Sequence, residues 1–177
     1  MTTIPTPTTV AANSAAKSAD FNSHATAINF WAQPPACRVH LTADLSTGWT
    51  AGTPAPIPWA AESFDQVPSG ASPMHSTSTN TSRLTIQVAG LYAVRYGLIV
   101  NPGATAQLVK AYIAKNGAEY GCESEFSLSG YFSLAGSDLI ECAAGDYLEI
   151  YLNWASTPGT LYYDNAAAGF SAILVSQ

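Results

Sequence analysis

Residues 90–101 read GLYAVRYGLIVN, and in them Tyr92, Val94, Tyr96, Leu98 and Val100 occupy every second position. A row of apolar side chains with period two is the mark of an extended strand with one side in a core. The run ends at Asn101-Pro102-Gly103, three residues that punctuate rather than continue regular structure.

The same period recurs on both sides of it. In SRLTIQV (82–88), Leu84, Ile86 and Val88 face one way and Arg83, Thr85 and Gln87 the other. In GDYLEIYLNW (145–154), Leu148, Ile150, Leu152 and Trp154 alternate with Tyr147, Glu149, Tyr151 and Asn153. EFSLSGYFSLAG (125–136) reads as one further strand carrying Phe126, Leu128, Phe132 and Leu134, and GFSAILVSQ (169–177) alternates again. Asn116-Gly117 suits a tight hairpin, and Gly145-Asp146 and Pro158-Gly159 are breaks. Residues 45–80 hold Pro54, Pro56, Pro58, Pro68 and Pro73 and read as long loops with short strands. Strands at this spacing with no helices between them predict an all-β antiparallel sandwich or barrel. In that sandwich Tyr92, Val94, Tyr96, Leu98, Leu148, Ile150 and Leu152 belong to the core or to an interface between copies. Unbroken apolar faces with aromatics exceed what one half-wet sheet needs, and this favours contact between copies.

The start of the chain differs. Residues 1–17 are rich in Thr, Pro and Ala, with Pro5 and Pro7 against helix. A segment of this kind needs a partner subunit to order it. Residues 18–32 predict a helix, with Ser18 as N-cap, Asp20 near the positive end of the dipole and Pro34-Pro35 as the stop. Phe21, Ala25, Ile28 and Ala32 form a stripe that Phe30 and Trp31 widen. A helix of four turns does not stand alone in water, so the stripe packs on the domain, on sister helices or on a docking surface. The division predicted is an N-terminal anchor, 1–36, carrying Phe21, Ala25, Ile28 and Trp31, and a jelly-roll domain, 37–177.

Charged residues are only 10% of the 177 positions, against about 25% in an average soluble domain. A surface of neutral polar groups suits close contact with copies of itself or with another shell protein, because few charges need desolvating, and it also suits β-rich proteins in general. Net charge is −6 and the six basic residues are scattered, which disfavours nucleic acid and anionic membrane as partners. The N-terminus lacks the basic start and apolar run of a secretory signal, and no stretch has the length of a membrane span. The expectation is a chain made in the cytosol and kept there, or released by another route, without membrane insertion. Three cysteines do not make a disulfide framework; Cys122 and Cys142 pair only if their strands are neighbours.

No catalytic constellation stands out. His24, His40 and His75 have no metal-ligand spacing, and no Gly-x-Ser-x-Gly elbow or phosphate-binding glycine loop is present. Asp65, Glu119, Glu123, Glu125 and Glu141 suggest solvated acids rather than a glycosidase pair. Asp138, Glu141 and Asp146 are the residues from which a calcium site would be built. No cofactor, metal or catalytic residue is therefore expected. Trp49, Trp59, Trp154, Tyr162 and Tyr163 fall in or near predicted loops, where aromatics stack on sugars or cover the ends of a sandwich. Trp154, Tyr162 and Tyr163 are the candidates for a loop binding surface.

In order along the chain, RLTIQV runs into Ala89-Gly90-Leu91-Tyr92, a strand ends in Lys115-Asn116-Gly117, and Leu139-Ile140-Glu141-Cys142 leads to Gly145-Asp146-Tyr147-Leu148. Phe170-Ser171-Ala172-Ile173-Leu174-Val175 stands at the C-terminus. This ordered set resembles the jelly roll of complement globular heads and tumour necrosis factor, over about 140 residues, though without a collagen-like glycine repeat. The resemblance implies a homotrimer. The threonine-rich start, the helix SADFNSHATAINFW and Pro-Pro before Arg38-Val39 resemble the opening of structural proteins from phages of actinobacteria. That likeness implies a non-enzymatic virion protein on the particle exterior, docked to a capsid or tail protein through residues 1–36. Capsid decoration is slightly favoured over a minor-tail or short-fibre protein that binds a host-surface glycan; a polysaccharide-degrading enzyme is the remote alternative.

Overall fold

The structure is a computed structural model and describes residues 18–164 and 168–177. The arm expected over residues 1–17 lies outside them. The elements are α1 (Ser18–Ala32), β1 (Ala36–His40), β2 (Ala55–Pro56), β3 (Ala61–Gln66), β4 (Leu84–Thr85) and β5 (Gly90–Asn101). They continue with β6 (Gln107–Lys115), β7 (Ala118–Leu128), β8 (Phe132–Cys142), β9 (Tyr147–Trp154), β10 (Thr160–Tyr162) and β11 (Gly169–Ser176). No helix among the described residues is long and apolar enough to cross a membrane.

Two antiparallel sheets face each other. One runs β3-β1-β11-β5-β8, with β10 continuing the β11 side of β5; the other runs β2-β9-β6-β7, with β4 beside β2 on the same edge of β9. The all-β jelly-roll sandwich read from the sequence is the fold observed. β5 is the organising strand. It pairs with β8 from Gly90↔Cys142 to Val100↔Phe132 and with β11 from Gly97↔Gly169 to Leu91↔Ser176. Its apolar row points inward, and Tyr92, Val94, Tyr96, Leu98 and Val100 are all buried. Leu148, Ile150, Leu152 and Trp154 meet them from β9.

The row 92–100 is therefore core within one chain and not a spare face for neighbours. Filling the space between two sheets consumes both inner faces completely. The buried polar ends are matched: the Tyr92 hydroxyl donates to the Val88 carbonyl at 2.8 Å, and Tyr96 donates across the sandwich to the Ala111 carbonyl at 3.0 Å. Burial pushes both phenols up from their ordinary pKa.

The run 125–136 is not one strand. β7 ends at Leu128 and β8 begins at Phe132, in the other sheet. Gly130 makes the break with φ 71°, a conformation open chiefly to glycine. Leu128 and Leu134 are buried on either side of the turn, whereas Phe126 and Phe132 are exposed, so only half of the predicted row lines the core.

Candidate interaction surfaces

The anchor helix touches the domain through Ala27 and Phe30, which are buried. Phe21 and Ile28 are 65% and 67% exposed, and Ala25 is exposed as well. The predicted stripe thus faces away from its own domain. The side chain of Trp31 lies outside the described residues. The helix runs into the sandwich through Pro34-Pro35, and the Leu174 amide donates to the Pro35 carbonyl at 2.9 Å.

The outer face of the β5 sheet carries a second uncovered surface. Four strands line up Phe64, Arg38, Ser171 and Arg95 in one row, continued by Ser137 on β8. The next row holds Ala36, Ile173, Ala93 and Leu139. Phe64, Leu139, Ile173 and Val175 are exposed here. A pocket of about 340 Å³ opens between Arg38, Phe64, Arg95 and Ile173, over Gly97 and Gly169. Those two glycines face each other across β5 and β11, and the absence of side chains makes the hollow.

A third surface is the side of the sandwich where β7 and β8 come together. The rings of Phe126 and Phe132 meet there at 5.9 Å, both exposed. The Ser124 hydroxyl donates to the Ala135 carbonyl, and Gly121 leaves room for the Asp138 carboxylate. From β6 Lys110 reaches both Glu119 and Glu123 on β7. The Lys110 ammonium beside Glu123 holds its carboxyl below the usual range.

A tyrosine cluster occupies the end of the sandwich remote from the helix. Tyr131 donates from its hydroxyl to that of Tyr162 at 3.0 Å, with ring centroids 4.8 Å apart. Tyr163 is exposed beside them, its amide bonded to the Asp44 carboxylate. Tyr162 pairs with Ile99, whereas the helix enters beside Leu174, which pairs with Tyr92. Seven residues of β5 separate those levels, about 23 Å.

Trp154 does not belong to this cluster. It is fully buried, as is Trp59, and packs against Gly159. Its position as the last residue of β9 put it near a loop in the sequence, but it is in phase with Leu148, Ile150 and Leu152 and therefore points inward. Tyr131, Phe64, Arg38 and Arg95 were not singled out from the sequence. Arg95 was the legible signal, a charge inside the most apolar strand of the chain.

The polar interior is structural. His75 is buried, with Nδ1 2.7 Å from a Glu62 carboxylate oxygen and Nε2 3.0 Å from the Thr81 carbonyl. Asp65 accepts the amides of Met74 and His75. Together they tie the proline-rich connection to β3. Among the described residues no three His, Cys, Asp or Glu side chains are grouped to hold a metal ion. Of the calcium candidates, Asp146 is engaged by Lys115, Asn116 and the Ala143 amide, while Asp138 stands apart on β8. All three cysteines are free thiols. Cys122 lies beside Gly136, whereas Cys142 ends β8 six residues later, about 20 Å along the strand. Their pairing is excluded by that separation.

These features define a tumour necrosis factor-like jelly roll. Two crystal structures of murine APRIL, at pH 5.0 and pH 8.5, superpose on this chain with TM-scores of 0.58. They are 9% and 8% identical to it, and each match covers 80% of this chain and 98% of that one. The Eiger TNF from S. frugiperda matches at TM-score 0.56 and 12% identity, over 81% of this chain and 93% of its own. No protein-family model and no curated protein matches the sequence.

Proposed function

We propose that the chain is a non-enzymatic structural protein of a tailed-phage virion, a trimeric knob docked by residues 1–36 on the capsid exterior. The observation that carries this reading is the mismatch between a sandwich whose core is complete and a helix that leaves Phe21 and Ile28 bare. Apolar side chains of that size gain about 1.5–3 kcal/mol each when covered, and nothing in the chain's described residues covers them. The helix therefore serves a surface outside its own domain. The outer face of the β5 sheet and the β7–β8 side are two different uncovered patches. Contact between unlike patches builds a ring when the rotation closes, which is the arrangement the trimer reading requires.

The test is location. Gold-labelled antibody against the domain should decorate heads of intact particles at many points. Label confined to the tail tip would favour the minor-tail reading, and bare particles would refute both. Light scattering of the purified chain should give three times 18.5 kDa. Phe21→Ser with Ile28→Ser should keep that mass and abolish incorporation into particles.

A second reading has its own observation. The tyrosine cluster Tyr131, Tyr162 and Tyr163 sits at the end remote from the anchor, where a docked knob points outward. Ring faces edged by hydroxyls and a carboxylate suit a host-surface glycan. Binding to host wall fractions that Tyr131→Ala removes, with the trimer intact, would establish it.

A further inference from the structure

Arg95 is out of keeping with the rest of this chain. Charged residues are scarce, and Arg83, Lys110 and Lys115 each hold a carboxylate. Arg95 is exposed at the middle of β5, and its side chain makes no hydrogen bond or ion pair among the described residues. Arg38 stands two strands away in the same row, about 10 Å at the backbone. Ser171 lies between them, and their pocket has Phe64 and Ile173 as walls. A cation on an apolar sheet face resists burial unless whatever covers the face brings an anion.

The other uncovered side of the molecule carries one. Asp138 is exposed on β8, at the seam with β7, and forms no ion pair among the described residues. Its carboxylate accepts a hydrogen bond from the amide of Leu139, at 2.8 Å. Asp138 pairs with Val94 and Ser137 with Arg95, so the two charges stand within one residue of the same height along the strands. Asp138 shares the phase of inward-facing Val94 at the sheet edge and Arg95 the opposite phase, so the two border one hollow but form no ion pair within one chain. In a ring closed about an axis running along the strands, rotation keeps every residue at its height. The height of Asp138 is then the height at which a neighbour's Arg95 is waiting.

We infer that the Arg38–Arg95 pocket on the outer β5 sheet is a docking surface for a second copy of this chain, and that it receives Asp138 from the copy's β7–β8 side. The inference rests on the trimer reading and adds to it the residues that set register. Apolar contact through Phe64, Leu139 and Ile173 supplies area without direction; the charge pair supplies the height at which the copies lock.

The test is a charge swap read by analytical ultracentrifugation. Arg95→Glu alone should weaken assembly at least ~30-fold per contact, the lower end for breaking a buried charge pair. Arg95→Glu combined with Asp138→Lys should recover most of that loss. Arg95→Gln and Asp138→Asn form a milder double-mutant cycle, should either reversed residue compromise folding, and their effects on the association constant should be non-additive. Circular dichroism checks the fold of each variant. Full assembly by Arg95→Glu overturns the docking surface, and an additive cycle or an unrescued swap overturns the pairing; in these cases the trimer itself stands. A wild-type chain that is monomeric removes the trimer reading beneath them.

Discussion

Replacing Trp154 by alanine separates a core tryptophan from a ligand-binding one. The side chain is fully buried between β9 and the Pro158-Gly159 turn. A buried indole removes about 200 Å² from water, which at ~25 cal/mol per Å² is about 5 kcal/mol, less the part retained by a methyl group. Measured truncations of core aromatics fall in the range of about 3–5 kcal/mol. Taking about 4 kcal/mol, and about 2–4 °C per kcal/mol for a chain of this size, the melting temperature should fall by about 8–16 °C. Differential scanning calorimetry at fixed protein concentration is the assay, since assembly makes melting concentration-dependent. The cavity has little scope to close, because Gly159 is packed so tightly that an added Cβ would clash with the Asn101 carbonyl oxygen and stand 2.8 Å from Pro102 Cα. The backbone on that side is already in contact. A variant that melts within about 3 °C of wild type would refute the placement of Trp154 in the core. Loss of glycan binding by this variant would say nothing about contact, since the fold supporting the tyrosine cluster would itself be weakened.

Three further outcomes follow from the same structure. Asp146→Asn should destabilise the chain by about 2 kcal/mol at pH 7, since the carboxylate accepts charge-assisted bonds from Asn116, the Ala143 amide and Lys115. The bond from Asn116 leads the effects that hold its pKa below the ordinary aspartate value, so this stability is complete above about pH 4 and disappears as the pH falls through the lowered pKa. Urea titrations at pH 7 and pH 3 should show the deficit of the variant shrinking at the lower pH. Gly136→Ala should cost about 1–3 kcal/mol by overpacking, because its Cβ would stand 2.6 Å from the Tyr96 ring and 2.7 Å from Cys122 Sγ; equal chemical-denaturation midpoints would contradict it. In the native protein a maleimide reagent at pH 7 should label Cys122 first. Cys37 and Cys142 are buried, and burial pushes Cys142 up to about 11 and Cys37 beyond it, so mass spectrometry should find them labelled only after unfolding.

Period-two alternation, Asn116-Gly117 and Gly145-Asp146 were enough to read an all-β sandwich or barrel, because burial of one strand face leaves its imprint on the sequence whatever the partner strand; the ordered resemblance narrowed it to a jelly roll. The helix over 18–32 was legible for the same reason, in its caps and its stop. What the linear pattern does not contain is the identity of the facing surface. Tyr92 and Tyr96 looked like surplus apolar area, yet the opposite sheet covers them entirely. Trp154 looked like a loop residue until its phase with Leu152 turned it inward. Conversely, the uncovered surfaces come from residues far apart in the chain. Arg38, Phe64, Arg95 and Ile173 share a pocket only because β1, β3, β5 and β11 lie side by side, and Tyr131 meets Tyr162 only through the β8–β5–β10 pairing. Local periodicity reports whether a side chain is buried; strand order decides what it is buried against and which groups are left facing out together.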